Sequence, residues 1–201
     1  MTLSALALVC TLKKSPTPSS SEVLAREILA ELSDHEVADD LVRVADSDVR
    51  FGVSTDEGDG DEWPAIRQRV LAADIVVLVT PIWMGQPASV AKMTLERLDA
   101  ELSETDDSGR PTMYGKVAMV GVVGNEDGAH HVIAETLQAL NDVGFSMAAA
   151  AGTYWVGEAM DSVDYKDLET KPEKTRAATR TAAANAAHLA KLLSSAAFPK
   201  S

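Results

Sequence analysis

Three stretches of this chain, ALALV (5–9), IVVLV (75–79) and VAMVGVV (117–123), run almost without a polar residue. A strand with one face in water alternates polar and apolar side chains, so a strand that does not alternate is covered on both faces. That requirement leaves few folds: the strands lie side by side in a parallel sheet with helices on each face. A fourth run, FSMAAAA (145–151), and a weaker one, LVRVA (41–45), bring the strands to five.

Helical periodicity fills the gaps. Ser19-Ser20-Ser21-Glu22 offers a capping box, and Leu24, Ile28, Leu29 and Leu32 then repeat at helical spacing, so a helix is expected from about Ser20. Similar stripes occur at Ile66/Val70/Leu71, at Ala91/Leu95/Leu98/Leu102 and at Ile133/Leu137/Leu140, and residues 173–195 read as an Ala-rich final helix. The order βαβαβαβαβα predicts an α/β fold, a doubly wound five-stranded parallel sheet with right-handed crossovers, built as one domain over 1–201 without internal repeat.

In such a sheet ligands sit beyond the carboxyl ends of the strands, where strand order reverses. The loops that matter are then 11–20, 80–88, 124–129 and 152–172. The net charge of −13 narrows the occupant, because it repels nucleic acid and anionic membrane and requires any phosphate to be held locally. The single Cys10 excludes an internal disulfide, a CxxC pair and a cysteine-ligated cluster, which suits a reducing compartment and places the chain in the cytoplasm. Residues 1–10 lack the basic start and the length of a signal or membrane segment and read as the first buried strand.

The first loop, Thr11 to Ser21, contains neither GxGxxG nor a GKS/GKT signature and is crowded with hydroxyls instead. Ser and Thr donors opening onto a helix N-terminus can bind a terminal phosphate, with Lys13 and Lys14 adding charge. A solvated connector whose serines cap a helix is the competing reading.

The second loop, Pro81-Ile82-Trp83-Met84-Gly85-Gln86, offers what a flat conjugated ring needs: a stiff strand exit, a close-approaching backbone at Gly85, polarizable surface at Trp83 and Met84, and an amide at Gln86. Trp83 and Met84 serve equally well as a core plug or a subunit contact. The third loop, Gly124-Asn125-Glu126-Asp127-Gly128-Ala129, opens the next helix, so its backbone amides face the same crevice. A turn with an Asx helix cap explains the same residues.

Together the hydroxyl-rich first loop, TPIWMGQPAS and GKVAMVGVVGNEDGAHH resemble the flavodoxin-like NAD(P)H-dependent FMN reductase family over roughly residues 3–150. The resemblance implies strand order 2-1-3-4-5, noncovalent FMN, and NADPH or NADH as co-substrate for hydride transfer to a small-molecule acceptor such as a quinone or free flavin. By position it implies Thr11, Lys13, Ser19, Ser20 and Ser21 around the FMN phosphate. Pro81, Ile82, Trp83, Met84, Gly85 and Gln86 would border the isoalloxazine, and Gly124, Asn125 and Gly128 its pyrimidine edge. The first loop departs from the family in having Cys10-Thr11 and Lys13 where a Gly-Ser start and Arg are common. No catalytic acid–base residue and no metal is then required, since the cofactor carries the chemistry. An electron-carrier flavodoxin is the rival from another class, and a fold that has lost its cofactor is a third reading.

The remaining chemistry-bearing residues point elsewhere. His130 and His131 are neighbours in a helix and diverge, so they form no metal pair; His131 is expected against the helix flank and His130 in solvent. Residues 56–62 lack calcium-loop spacing and read as a mobile acidic loop, and Cys10 reads as a small buried hydrophobe. Segment 152–174 is long for a connection in this fold and places Tyr154, Trp155 and Tyr165 near the crevice or at a surface, over substrate or in the contact of an expected homodimer or homotetramer, with a simple surface loop whose Trp155 is anchored in its own protein as the equal alternative.

Overall fold

Covered on both faces, an apolar strand must have two layers to cover it, and the computed structural model supplies them. It describes residues 2–199; Met1, Lys200 and Ser201 of the expected 1–201 domain lie outside the described residues. The strands in chain order are β1 (Ser4–Val9), β2 (Ala38–Arg43), β3 (Ile75–Trp83), the two-residue β4 (Gln86–Pro87), β5 (Val117–Gly124) and β6 (Ser146–Val156). The helices are α1 (Ser20–Ser33), α2 (Trp63–Ala72), α3 (Ser89–Asp99), α4 (Ala129–Val143) and α5 (Glu173–Ser195).

The five long strands are parallel in the order β2-β1-β3-β5-β6, the doubly wound flavodoxin-like arrangement expected, and β4 folds back antiparallel on the end of β3. Leu6 and Leu8 of β1 enter the layer of α2, α3 and α4, while Ala5, Ala7 and Val9 enter the layer of α1 and α5. α5 meets the sheet with Ala182, Ala183, Ala186 and Ala190, all buried, so a small-residue face brings a 23-residue helix close to the strands.

Strand ends differ from their expected limits for identifiable reasons. β2 begins at Ala38 rather than Leu41, because register with β1 pairs Ser4 with Ala38 through Val9 with Arg43, and at a sheet edge Asp39 and Asp40 can stay exposed. β3 runs to Trp83 instead of stopping at Val79: Thr80 and Pro81 still pair with Val122 and Val123 of β5. β6 does not end at Ala151. Its register jumps from Ala118↔Met147 to Val120↔Gly152, so the intervening alanines bulge from the sheet edge, with Ala150 at φ 57°. Gly152–Val156 then pair with Val120–Gly124, and the connection to α5 shrinks to 157–172.

In the acidic stretch 56–62, expected as a mobile loop, most residues are exposed but Asp61 is turned inward. Its carboxylate accepts from the backbone amides of Arg50, Glu57 and Trp63 at 3.0–3.1 Å and meets Arg97 of α3 at 2.8 Å, both side chains being fully buried. Arg97 also donates to the carbonyls of Arg50 and Ser54, and its guanidinium lies 5.5 Å from the Trp63 ring centroid. Burial works against the Asp61 charge, but the amides and the guanidinium outweigh it and hold its pKa down at about 2.

Replacing Arg97 with Met leaves a buried carboxylate unpaired, and urea unfolding near neutral pH is expected to show a loss of about 3–5 kcal/mol. Because the folded pKa of Asp61 lies below the unfolded value of about 3.9, its contribution is complete above that value and drains as pH falls toward 2. Asp61→Asn should therefore flatten this part of the acid-unfolding curve, and an unchanged curve would refute the assignment.

Candidate functional site

At the carboxyl end of the sheet the first, second and third loops and the 157–172 connector enclose a cavity of about 470 Å³. The first loop is braced from beneath. Arg43, at the end of β2 and buried, donates to the carbonyl of Thr17 at 2.8 Å and to that of Lys13 at 3.4 Å, and pairs with Glu22. Asp46 accepts from the Ser15 amide and hydroxyl, both at 2.7 Å. Ser19 caps α1, its oxygen accepting from the Glu22 amide at 3.4 Å with an extended backbone (φ −136°, ψ 127°). Burial opposes the Glu22 charge, but Arg43 and Arg26 hold its pKa below the ordinary value. A carboxylate in the first turn is thereby neutralised, and the positive end of the helix stays available to an anion.

Thr11, Lys13, Ser19, Ser20 and Ser21 all line the cavity at this end. Thr11, Ser19 and Ser21 are buried, and Ser20 Oγ accepts from the Lys166 amide at 3.2 Å. Among the described residues neither Lys13 nor Lys14 has a side-chain ion pair or hydrogen bond, although Lys14 lies near enough to Asp46 to favour its charge, so two ammonium groups without direct partners stand on this loop of an otherwise acidic chain.

The second loop contributes differently from its expectation. Pro81, Ile82 and Trp83 line the cavity, with Ile82 buried and Trp83 53% exposed. Met84, Gly85 and Gln86 lie outside the lining. Met84 (φ 56°) and Gly85 (φ 73°) form the two-residue turn between Trp83 and Gln86, a conformation with both residues at positive φ that matches the twist of a hairpin and directs the 90% exposed Met84 into solvent. Glu126, which the sequence reading did not select, accepts from both turn amides at 3.1 Å. Gln86 meets His131 at 3.0 Å.

From the third loop Gly124, Asn125 and Glu126 line the cavity and Gly128 does not. Gly128 sits at the N-cap of α4 without a side-chain cap, at φ 122°, and a Cβ there would stand 2.9 Å from the Gly85 Cα. Its role is to let the hairpin pack on α4. Asn125 Nδ2 donates to the carbonyls of Asp161 and Val163, both at 3.2 Å, and to Asp164 Oδ1 at 3.3 Å, while its Oδ1 is buried without a donor. The amide is spent on the connector rather than offered to the cavity.

The connector and the strand leading into it complete the wall with Trp155, Met160, Asp164, Tyr165 and Lys166. Trp155 pairs in register with Val123, itself opposite Pro81, so all three side chains stand on the same sheet face as α1 and α5. The Trp155 and Tyr165 rings pack at 5.4 Å between centroids, and buried Tyr165 donates its hydroxyl to Glu27 of α1. Aromatic density in 152–174 was the one signal in the sequence that reached these residues.

Other expectations resolve by contact. His131 is exposed on its helix flank, where it reaches Gln86 and, at 3.3 Å on the same helix, Glu135; His130 is exposed as expected and in addition meets the Tyr154 hydroxyl at 3.0 Å. Cys10 is completely buried and its thiol is pushed up to about 12 by desolvation, the behaviour of an inert core residue. Among the described residues no group of three His, Cys, Asp or Glu is placed to hold a metal ion, and no helix is long and apolar enough to cross a membrane.

The donor set fits FMN. Hydroxyls, a helix N-terminus and a free Lys13 at one end suit a phosphate monoester, and two indoles with Ile82 at the other suit a planar ring. The volume falls within the range of small-molecule sites, about 300–1,000 Å³. The chain is similar to several known proteins. The family described as NADPH-dependent FMN reductase matches residues 4–161. The 8-demethyl-8-aminoriboflavin-5′-phosphate synthase of Streptomyces davaonensis is 33% identical over 205 residues, 96% of this chain and 79% of that protein. A crystal structure of RosB with a bound intermediate, 8-demethyl-8-formylriboflavin-5′-phosphate, superposes with a TM-score of 0.87 at 32% identity, over 98% of this chain and 82% of that one. A divalent metal cation transporter, MntH of Mycobacterium bovis, is 37% identical over 169 residues, which is 82% of this chain but only 25% of the transporter's length.

Asn125→Ala removes the three hydrogen bonds to residues 161–164 and is expected to speed amide exchange across that segment while exchange in β5 stays unchanged. Equal protection in both proteins would show that Asn125 does not hold the connector.

Proposed function

The chain belongs to the NADPH-dependent FMN reductase family, and from the cavity just described we propose that it is a flavin-dependent oxidoreductase that holds FMN and takes its reducing equivalents from NADPH or NADH. The carrying observation is one cavity with an anion-binding helix terminus at one end and exposed indole surface at the other. When bound there, FMN would supply the two-electron chemistry, accepting hydride from the nicotinamide and passing it on to a small acceptor such as a quinone or free flavin.

The chain's own residues bind, orient and shield. Ser19, Ser20, Ser21 and Lys13 would hold the phosphate, with Arg43 fixing the loop that carries them. Ile82 and Trp83 border the ring site, and Glu126 fixes the turn beside them by taking the Met84 and Gly85 amides. Trp155 and Tyr165 close the side away from β3 and exclude water. The acidic surface and the buried, inert Cys10 fit a small-molecule enzyme of the reducing cytoplasm.

Similarity to a synthase that modifies the flavin itself supports a second reading, in which FMN is substrate rather than resident cofactor. The similarity runs through nearly the whole chain, including the connector beyond residue 161. Anaerobic mixing of the FMN-loaded protein with NADPH or NADH separates the readings. Rapid bleaching of the oxidised flavin, with FMN of unchanged mass recovered after turnover, supports the reductase. FMN recovered with altered mass supports the synthase type, and a stable half-reduced flavin with no nicotinamide reaction supports an electron carrier.

Lys13→Ala is expected to raise the Kd for FMN by about tenfold or more and to leave riboflavin affinity unchanged, as the loss of one charge-assisted contact to phosphate requires. Equal effects on the two ligands, read by fluorescence quenching, would remove Lys13 from the phosphate site.

A further inference from the structure

The family match ends at residue 161, yet Asp164, Tyr165 and Lys166 of the cavity wall lie beyond it. These residues form a strap tied to both ends of the cavity. The Lys166 amide donates to Ser20 Oγ in the first loop, and Asn125 of the third loop holds the carbonyls of Asp161 and Val163 and one oxygen of Asp164. Between the ties the strap is anchored to the body: buried Tyr165 is bonded to Glu27, and Lys171 donates to the carbonyls of Tyr165 and Leu168 with its ammonium 4.7 Å from the Tyr165 ring centroid. It therefore spans the interval between the anion-binding loop and the ring-binding loop, the interval that a linker joining a phosphate to a ring must cross.

The chemistry of the strap discriminates among ligand groups. Lys166 Nζ lies 2.7 Å from Asp164 and 2.6 Å from Asp167, so one cation is flanked by two carboxylates and the local charge is negative. A phosphate would be repelled there, whereas a hydroxyl can donate to a carboxylate oxygen that still has a free lone pair. Asp164 lines the cavity with its side chain 51% exposed, each oxygen taking one protein donor, Asn125 or Lys166. Asp167 does not line it.

We propose that Asp164, positioned by Asn125 and Lys166, binds the hydroxyls of the ribityl chain and thereby selects flavins that carry a polyol tail; the proposal rests on the FMN reading of the site. Its test is equilibrium binding, followed by quenching of flavin fluorescence, of FMN and of a flavin whose ring nitrogen carries an unbranched 5-phosphopentyl chain without hydroxyls. The native chain is expected to bind FMN at least about tenfold more tightly than this analogue. Asp164→Ala should weaken FMN and leave the analogue unchanged, bringing the ratio toward one, and Asp164→Asn, which preserves the side-chain shape, should lose part of it. Asp167→Ala should keep the native ratio. Equal weakening of both ligands by Asp164→Ala would reduce the strap to a structural element, and an unaltered ratio would equally overturn the proposal. Failure of the native chain to bind either flavin would overturn the FMN reading and this assignment with it.

Discussion

Two-sided burial of β1, β3 and β5 is the constraint from which the rest follows. With both faces of these strands covered by helices, no polar side chain can be placed on the sheet without desolvation, so functional groups are confined to where the strands end. The parallel direction of the five strands brings those ends to one rim. Loops separated by more than a hundred residues are thereby neighbours, and Ser20 can meet the amide of Lys166.

That rim is built on braces as much as on binding groups. Arg43, Glu22 and Asp46 hold the first loop, Glu126 and Gly128 hold the hairpin, and Asn125 holds the strap. Glu22 is paired with Arg43 and Arg26, whereas Asp46 and Glu126 are held by backbone amides, so the charged braces of this rim are each engaged by neighbouring loop or helix groups. The same economy explains the Asp61–Arg97 pair, where a residue from an acidic loop serves as an internal tie between α3 and the segment preceding α2. The cavity that the braces of the rim support is lined by the α1 serines, Lys13, Glu126, two tryptophans and Asp164 among others.

The order of elements, the identity of the helices and the existence of the first two loops as site walls were legible because they depend on local periodicity and on which runs lack polar alternation. The α5 limits of 173–195 follow from an unbroken Ala-rich pattern bounded by Pro172 and by the polar Ser194-Ser195 pair. The limits of β2, β3 and β6 were not legible in the same way, because pairing with a neighbour extends a strand through residues that disfavour it, such as Asp39, Pro81 and Gly152. Likewise nothing local says that Met84 turns outward. The two-residue hairpin does, and that hairpin exists only because Gln86 and Pro87 fold back onto Trp83 and Ile82.

By itself the sequence determined that this chain makes a doubly wound parallel sheet and that a hydroxyl-rich helix start and a tryptophan-bearing loop stand at the same rim, since these are consequences of composition and short-range spacing. Only the tertiary structure decided which of those residues face the cavity, that Asn125 and Glu126 are committed to holding backbone, and that Trp155, Asp164 and Lys166 close the third side. Those outcomes depend on contacts between residues far apart in the chain, and the geometry of such contacts is set by how the layers pack.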